Sequence, residues 1–196
     1  PYHFLYWQVS RGVAPRGHAF PPAEVAPTLL AYVRPHRMKD LNHPYRLISR
    51  EDNRYKLCHI KTLNLIPSVL ASQRAAERGC DEAVLNRGSR VTECAHSNIS
   101  MLKDGVLRTA PTDELILPGI ARKHLIALAK ENGVPVVEEP FSMVELMNAD
   151  EAIVTSSSAL CMGVESIDGI PVGGRDRERF HLLQSACMEE FQRDTK

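Results

Sequence analysis

Residues 82–110, EAVLNRGSRVTECAHSNISMLKDGVLRTA, alternate short apolar runs with two tight-turn signals, Asn86 to Gly88 and Lys103-Asp104-Gly105. Glycine beside Asn or Asp favours turns whose twist matches that of paired strands, so this stretch predicts a series of β-hairpins. Downstream, ELILPGIARKHLIALAKENGVPVVE runs from an expected strand through Pro118-Gly119 into a helix with apolar residues at 120, 125, 126 and 128. That helix stops at Gly133, and the chain becomes a strand again. EAIVTSSSAL reads as a strand running out into three serines, and Arg177 to Arg193 as a closing amphipathic helix. Strands and helices therefore mix along the chain, which places it in the α/β (α+β) class.

The upstream part is organised differently. Residues 2 to 10 are aromatic and β-branched and read as a strand, followed by the turn-rich RGVAPRGHAFPP and a second apolar segment, EVAPTLLAYVR. Residues 34 to 46 are polar, basic and proline-bearing with no apolar period, the composition of a domain boundary. After Asp52 and Asn53 a short strand is expected through Ile60. A helix follows, with Leu65, Ile66, Val69 and Leu70 at helical spacing until Gly79.

Composition narrows the function classes. Lys plus Arg equals Asp plus Glu at 24 each, so no bulk field favours nucleic acid or a membrane surface. Five scattered cysteines, Cys58, Cys80, Cys94, Cys161 and Cys187, form no C-x-x-C pair for zinc or redox chemistry, and they read as reduced thiols of a cytoplasmic protein. No apolar run approaches the roughly 18 residues of a membrane-spanning helix.

Chemistry-bearing candidates fall in three places. Lys61, in HIKTLNLIPS, stands where the apolar pattern enters the core; burial would lower its pKa towards a nucleophilic amine, though a lysine so placed more often snorkels to water. Glu93, in RVTECAHSN, is an acid just past an expected hairpin strand, where a solvated loop residue is the commoner outcome. Gly119, Ile120 and Ala121 open a helix whose N–H groups suit a phosphate, and Ser156, Ser157 and Ser158 add hydroxyls after a strand. Each element alone is ordinary. An amine nucleophile, a candidate buried acid and two phosphate-suited turns together are the parts that hold pyridoxal phosphate.

The segments IKTLNLIPSVLASQRAAERGCDEAVL, VTECAHSNI, ILPGIARKHLI and IVTSSSA resemble, in order and spacing, the signatures of class IV (fold-type IV) pyridoxal-phosphate aminotransferases. The resemblance runs from about residue 5 to the end. Within that family RGVAPRGHAFP is similar to the D-amino-acid aminotransferase version, in which an Arg-x-His pair, here Arg16 and His18, holds the substrate carboxylate.

The resemblance implies a Schiff base on Lys61, which would also move the proton between the substrate α-carbon and the cofactor. It implies Glu93 at the pyridine nitrogen, Ile120, Ala121, Ser156 and Ser157 at the phosphate, and Leu117 against the ring. It further implies transamination between a D-amino acid such as D-alanine and a 2-oxo acid such as 2-oxoglutarate, by a homodimer. Residues 1–34 would be the end of a small α/β domain, 35–41 a linker and 42–196 the large cofactor domain. An N-terminal segment found in relatives is expected to precede Pro1, so the chain reads as truncated and potentially impaired.

Two departures bear on specificity. Ala121 replaces a family threonine, and Cys94-Ala95-His96 replaces a small, serine-rich stretch, with Cys94 similar to aminodeoxychorismate lyases of the same fold. That lyase activity, an L-branched-chain aminotransferase and an amine transaminase are the neighbouring alternatives.

Overall fold

The computed structural model describes residues 2–195 and divides them into two compact units, one up to Lys39 and one from Asp40 onward. The first unit is a hairpin in which β1 (Tyr2–Ser10) and β2 (Thr28–His36) pair antiparallel from Tyr2 opposite His36 to Ser10 opposite Thr28. Cross-strand contact supports it, with Tyr6 stacked on Tyr32 at 5.1 Å between ring centroids. Leu5, Trp7, Val9, Leu29 and Val33 nevertheless remain exposed.

The second unit begins with β3 (Tyr45–Glu51), α1 (Ile66–Glu77), β4 (Glu82–Arg87), β5 (Arg90–Cys94), β6 (Asn98–Lys103) and β7 (Val106–Thr109). It continues through α2 (Ile120–Glu131), β8 (Val136–Glu138), α3 (Met143–Met147), β9 (Glu151–Ser156), β10 (Leu160–Ile167), β11 (Ile170–Pro171) and α4 (Arg177–Asp194). The strands form one mixed sheet in the order β5-β4-β3-β10-β9-β6-β7-β8, with β11 added to β10. The sheet curls: Val91 N–H of β5 donates to Phe141 O (2.9 Å) and Met143 N–H to Ser89 O (2.9 Å), so one edge meets the segment beyond the other.

Strand alternation sends side chains to two faces, and both are buried. Tyr45, Leu47, Val84, Val91, Ile99, Met101, Val154 and Met162 fill one core. Leu102, Leu107, Ile153 and Cys161 face the other way and pack with Leu125 and Leu128 of α2 and Phe180 and Leu183 of α4. Ile48, Ala83 and Leu85 pack with Ala71 and Ala75 of α1. Among the described residues, no helix is long and apolar enough to cross a membrane.

The two hairpins turn where the sequence places them; Asp104 (φ 51°) and Gly105 (φ 77°) both take the left-handed conformation that such a turn demands. Two expectations are corrected. The strand after Asn53 is absent: β3 ends at Glu51, and Asp52 Oδ1 accepts both the Arg54 backbone N–H (3.1 Å) and Arg54 Nε (2.9 Å), which turns the chain locally. The strand before Pro118 is a turn, because Asp113 accepts the Leu115 N–H (2.9 Å) and closes it locally. The helix expected from the apolar spacing is α1, which buries Ser68, Ala71 and Ala75 and exposes Ile66, Val69 and Leu70. Its small residues allow close approach to the sheet, and the large apolar ones point away from it.

Candidate functional site

Glu93 is the best-defined part of the site. It lies within β5 rather than past it, is only 5% exposed, and accepts hydrogen bonds from three sides. Arg54 Nη1 donates to Oε1, while Asn98 Nδ2 (2.8 Å) and the Leu117 N–H (3.1 Å) donate to Oε2. Burial is the largest influence on this carboxyl and pushes it up to about 7, against the charge of Arg54 and the Leu117 N–H.

Arg54 is fixed in turn. Its Nε and Nη2 each donate to Asp52 at 2.9 Å, in a fork-to-carboxylate arrangement, and Nη2 also reaches Leu115 O (3.1 Å). The buried Asp52 carboxylate also accepts from Thr92 Oγ1 (2.9 Å) and Arg87 Nε (3.2 Å). Burial alone would raise Asp52, but the hydrogen bonds and charge of Arg54 outweigh it and leave the carboxyl below its ordinary range. Two carboxyl groups and two guanidiniums thus share one cluster in which opposite charges are paired, the arrangement that lets charges stay buried.

Asn98 joins this cluster to the start of α2. The same Nδ2 that donates to Glu93 donates to Leu117 O (2.9 Å), and Asn98 Oδ1 lies so close over Gly119 that a Cβ there would overlap it. Gly119 is therefore required by space; its φ of −65° is open to any residue. Arg122 holds the helix start from behind, donating to Thr109 Oγ1 (3.1 Å), Ala110 O (2.7 Å) and Glu138 (2.8 Å).

The first turn of α2 has no side-chain cap and no acidic residue. The five-residue α3 has a complete capping box from Ser142 and Glu145. The first N–H groups of a helix have no partner within it, so those of Ile120 and Ala121 are available to an anion. A cavity of about 260 Å³ is lined by Ile120, Ala121 and Ser157 together with His124 and the acidic Glu190 and Asp194, and Glu93 and Lys61 do not line it. Leu117 and Ile120 are three residues apart, at most about 11 Å of chain, which limits the span between the Glu93 carboxylate and the anion-suited end.

The remaining candidates are less tightly held. Lys61 is exposed, in the irregular segment before α1, which corrects the expectation that it enters the core. Its segment is tied to the site where the Cys58 N–H donates to Glu114 O (2.9 Å), beside Leu115 and Leu117. Ser156 is half-buried with its Oγ 3.3 Å from that of Ser158, and Ser157 is exposed. Arg16 and His18 are exposed in the loop between β1 and β2, in the other unit. Cys94 is buried, and burial pushes its thiol well up, away from nucleophilic chemistry.

The structure adds three residues that the sequence did not single out. Asp52 and Arg54 sit in a polar run without periodicity, and Asn98 is a polar residue at the start of a strand. Only the two oppositely charged residues two apart, Asp52 and Arg54, offered a signal before the fold was known.

Residues 1–167 match the family model described as amino-transferase class IV. The chain is 43% identical, over 88% of its length, to a D-alanine aminotransferase of Listeria monocytogenes serotype 4b (strain F2365), and spans 61% of that protein. It also resembles the solved branched-chain amino acid aminotransferase from Escherichia coli (TM-score 0.82, 28% identity, covering 99% of this chain and 66% of that one). A putative 4-amino-4-deoxychorismate lyase from Legionella pneumophila is similar too (TM-score 0.81, 26% identity, covering 93% of this chain and 69% of that one). With a family-model match over residues 1–167 and 43% identity to a relative over 88% of its length, the chain belongs to the class IV aminotransferases, a pyridoxal-phosphate-dependent family.

Proposed function

We propose that this chain carries the cofactor site of a D-amino-acid aminotransferase, which moves an amino group between a D-amino acid such as D-alanine and a 2-oxo acid such as 2-oxoglutarate. The observation that carries this reading is the 43% identity with the Listeria D-alanine aminotransferase over 88% of the chain. The donor set fits the cofactor on chemical grounds. A buried carboxylate suits a ring nitrogen, uncapped N–H groups beside a serine suit a phosphate, and an accessible amine suits an aldehyde.

When bound, pyridoxal phosphate supplies an aldehyde carbon for amine exchange and a ring that withdraws electrons from the substrate α-carbon. Lys61 Nζ is the amine that would hold that aldehyde carbon, and it would take and return the proton at the substrate α-carbon. Glu93 holds the proton at the ring nitrogen. The Ile120 and Ala121 N–H groups, with Ser156 and Ser157, bind the phosphate, and the Leu117 side chain packs on the ring. Arg16 and His18 provide the donors for the substrate carboxylate. The working enzyme in this reading is a cytoplasmic homodimer.

Chiral analysis of the product tests the substrate class. With D-alanine, 2-oxoglutarate and added pyridoxal phosphate, D-glutamate is the expected product. Formation of L-glutamate alone would contradict the D-specific reading.

A further inference from the structure

Glu93 faces its environment through a relay rather than through a single partner. Its Oε1 takes Arg54 Nη1, and Arg54 is oriented by the fork of its Nε and Nη2 on Asp52 (2.9 Å each) and by Leu115 O (3.1 Å). Asp52 is in turn held by Thr92 Oγ1 (2.9 Å) and Arg87 Nε (3.2 Å). Arg87 is anchored by its Nη2 on the carbonyls of Arg54 (2.8 Å) and Tyr55 (3.3 Å). The Cys58 thiol and the buried Cys94 thiol, which both feel the charge of Glu93, are pushed up by burial and so neutral. The charges of Arg54 and Asp52 act on Glu93 with opposite signs, and Arg87 is held on Asp52.

This geometry matters for one proton. A buried carboxylate opposite a ring nitrogen can leave the proton on the nitrogen, giving an ion pair, or take it, giving a neutral acid against a neutral ring. Burial favours the neutral arrangement, because it leaves no charge to desolvate. A guanidinium fixed on the carboxylate favours the ion pair, because it stabilises the anion directly. Arg54 is the only cationic side chain bonded to Glu93 among the described residues.

We propose that Arg54, seated on Asp52, is a positioning residue that keeps Glu93 anionic and so keeps the shared proton on the pyridine nitrogen of bound pyridoxal phosphate. The inference rests on the cofactor reading above. It adds that the electron-withdrawing form of the ring is set by a residue that does not touch it. Asp52 acts one step further back, by fixing the plane of the guanidinium.

The test reconstitutes the protein and its Arg54→Gln and Arg54→Lys variants with pyridoxal phosphate labelled with 15N in the ring, and reads the ring 15N chemical shift. The unsubstituted protein is expected to give a pyridinium shift, Arg54→Gln a move towards neutral pyridine, and Arg54→Lys an intermediate value. Lysine retains the charge but cannot hold Asp52 and Glu93 with one planar fork. Turnover of Arg54→Gln should fall at least about tenfold in kcat with less than about a twofold change in KM, the pattern of an interaction that acts in the transition state.

A pyridinium shift in Arg54→Gln equal to that of the unsubstituted protein would overturn the proposal. If Arg54→Gln does not fold, an unchanged shift in Arg54→Lys overturns it instead. Failure of the unsubstituted protein to bind the labelled cofactor would remove the cofactor reading itself, and the proposal with it.

Discussion

Glu93 concentrates the chemistry of this site in one carboxyl group, and its environment has a measurable pH signature. Burial pushes its pKa up to about 7 in the folded chain, above the ordinary glutamate value retained when unfolded. The folded state therefore binds a proton more tightly than the unfolded state between about pH 4.5 and 7. Stability without cofactor should fall as pH rises through that window, by at most about 3 kcal/mol, and level off above it. Urea unfolding at a series of pH values checks this, and Glu93→Gln should flatten the fall. Asp52 contributes with the opposite sign: its lowered carboxyl stabilises the fold above the ordinary aspartate range, and that contribution is lost as pH falls through its depressed pKa. Removing its charge with Asp52→Asn leaves Arg54 and Arg87 short of an anion in a buried cluster. A loss of about 3–5 kcal/mol is expected, read as a lower urea midpoint.

At the scale of elements, α2 is placed so that its first turn stays uncapped while its third residue, Arg122, is buried against Thr109, Ala110 and Glu138. Gly119→Ala puts a methyl group into the space of Asn98 Oδ1 and breaks the link between Glu93 and Leu117 O. The variant should lose about 1–3 kcal/mol of stability and bind pyridoxal phosphate more weakly, measured by urea unfolding and cofactor titration. Much of this element-level arrangement was legible beforehand. The hairpin turns at Gly88 and Gly105, the helix opening at Gly119 and the closing helix all follow from local turn and periodicity rules. The Asp52–Arg54–Glu93 relay was not, because it joins residues 39 apart through a strand pairing that no local pattern encodes. The buried face of α1 is not encoded locally either. Apolar spacing predicts a buried stripe, but here alanine and serine make the close packing and the large residues are left exposed.

At the scale of the whole molecule, stability is unevenly distributed between the two units. The hairpin of β1 and β2 has two strands and leaves Leu5, Trp7, Val9, Leu29 and Val33 exposed, and such a hairpin is at best marginal in water. The larger unit buries apolar side chains on both faces of its sheet. Amide exchange of the chain alone should therefore be fast throughout β1 and β2 and slowest in β9, which lies between β10 and β6. The same larger unit carries Glu93, Asn98 and the start of α2, with Lys61 on the segment tied to Glu114. Borohydride reduction of the protein loaded with pyridoxal phosphate, followed by peptide mass mapping, is the most direct test of that assembly. A pyridoxyl group on Lys61 is the expected result; no adduct, or an adduct only on another lysine, would contradict it.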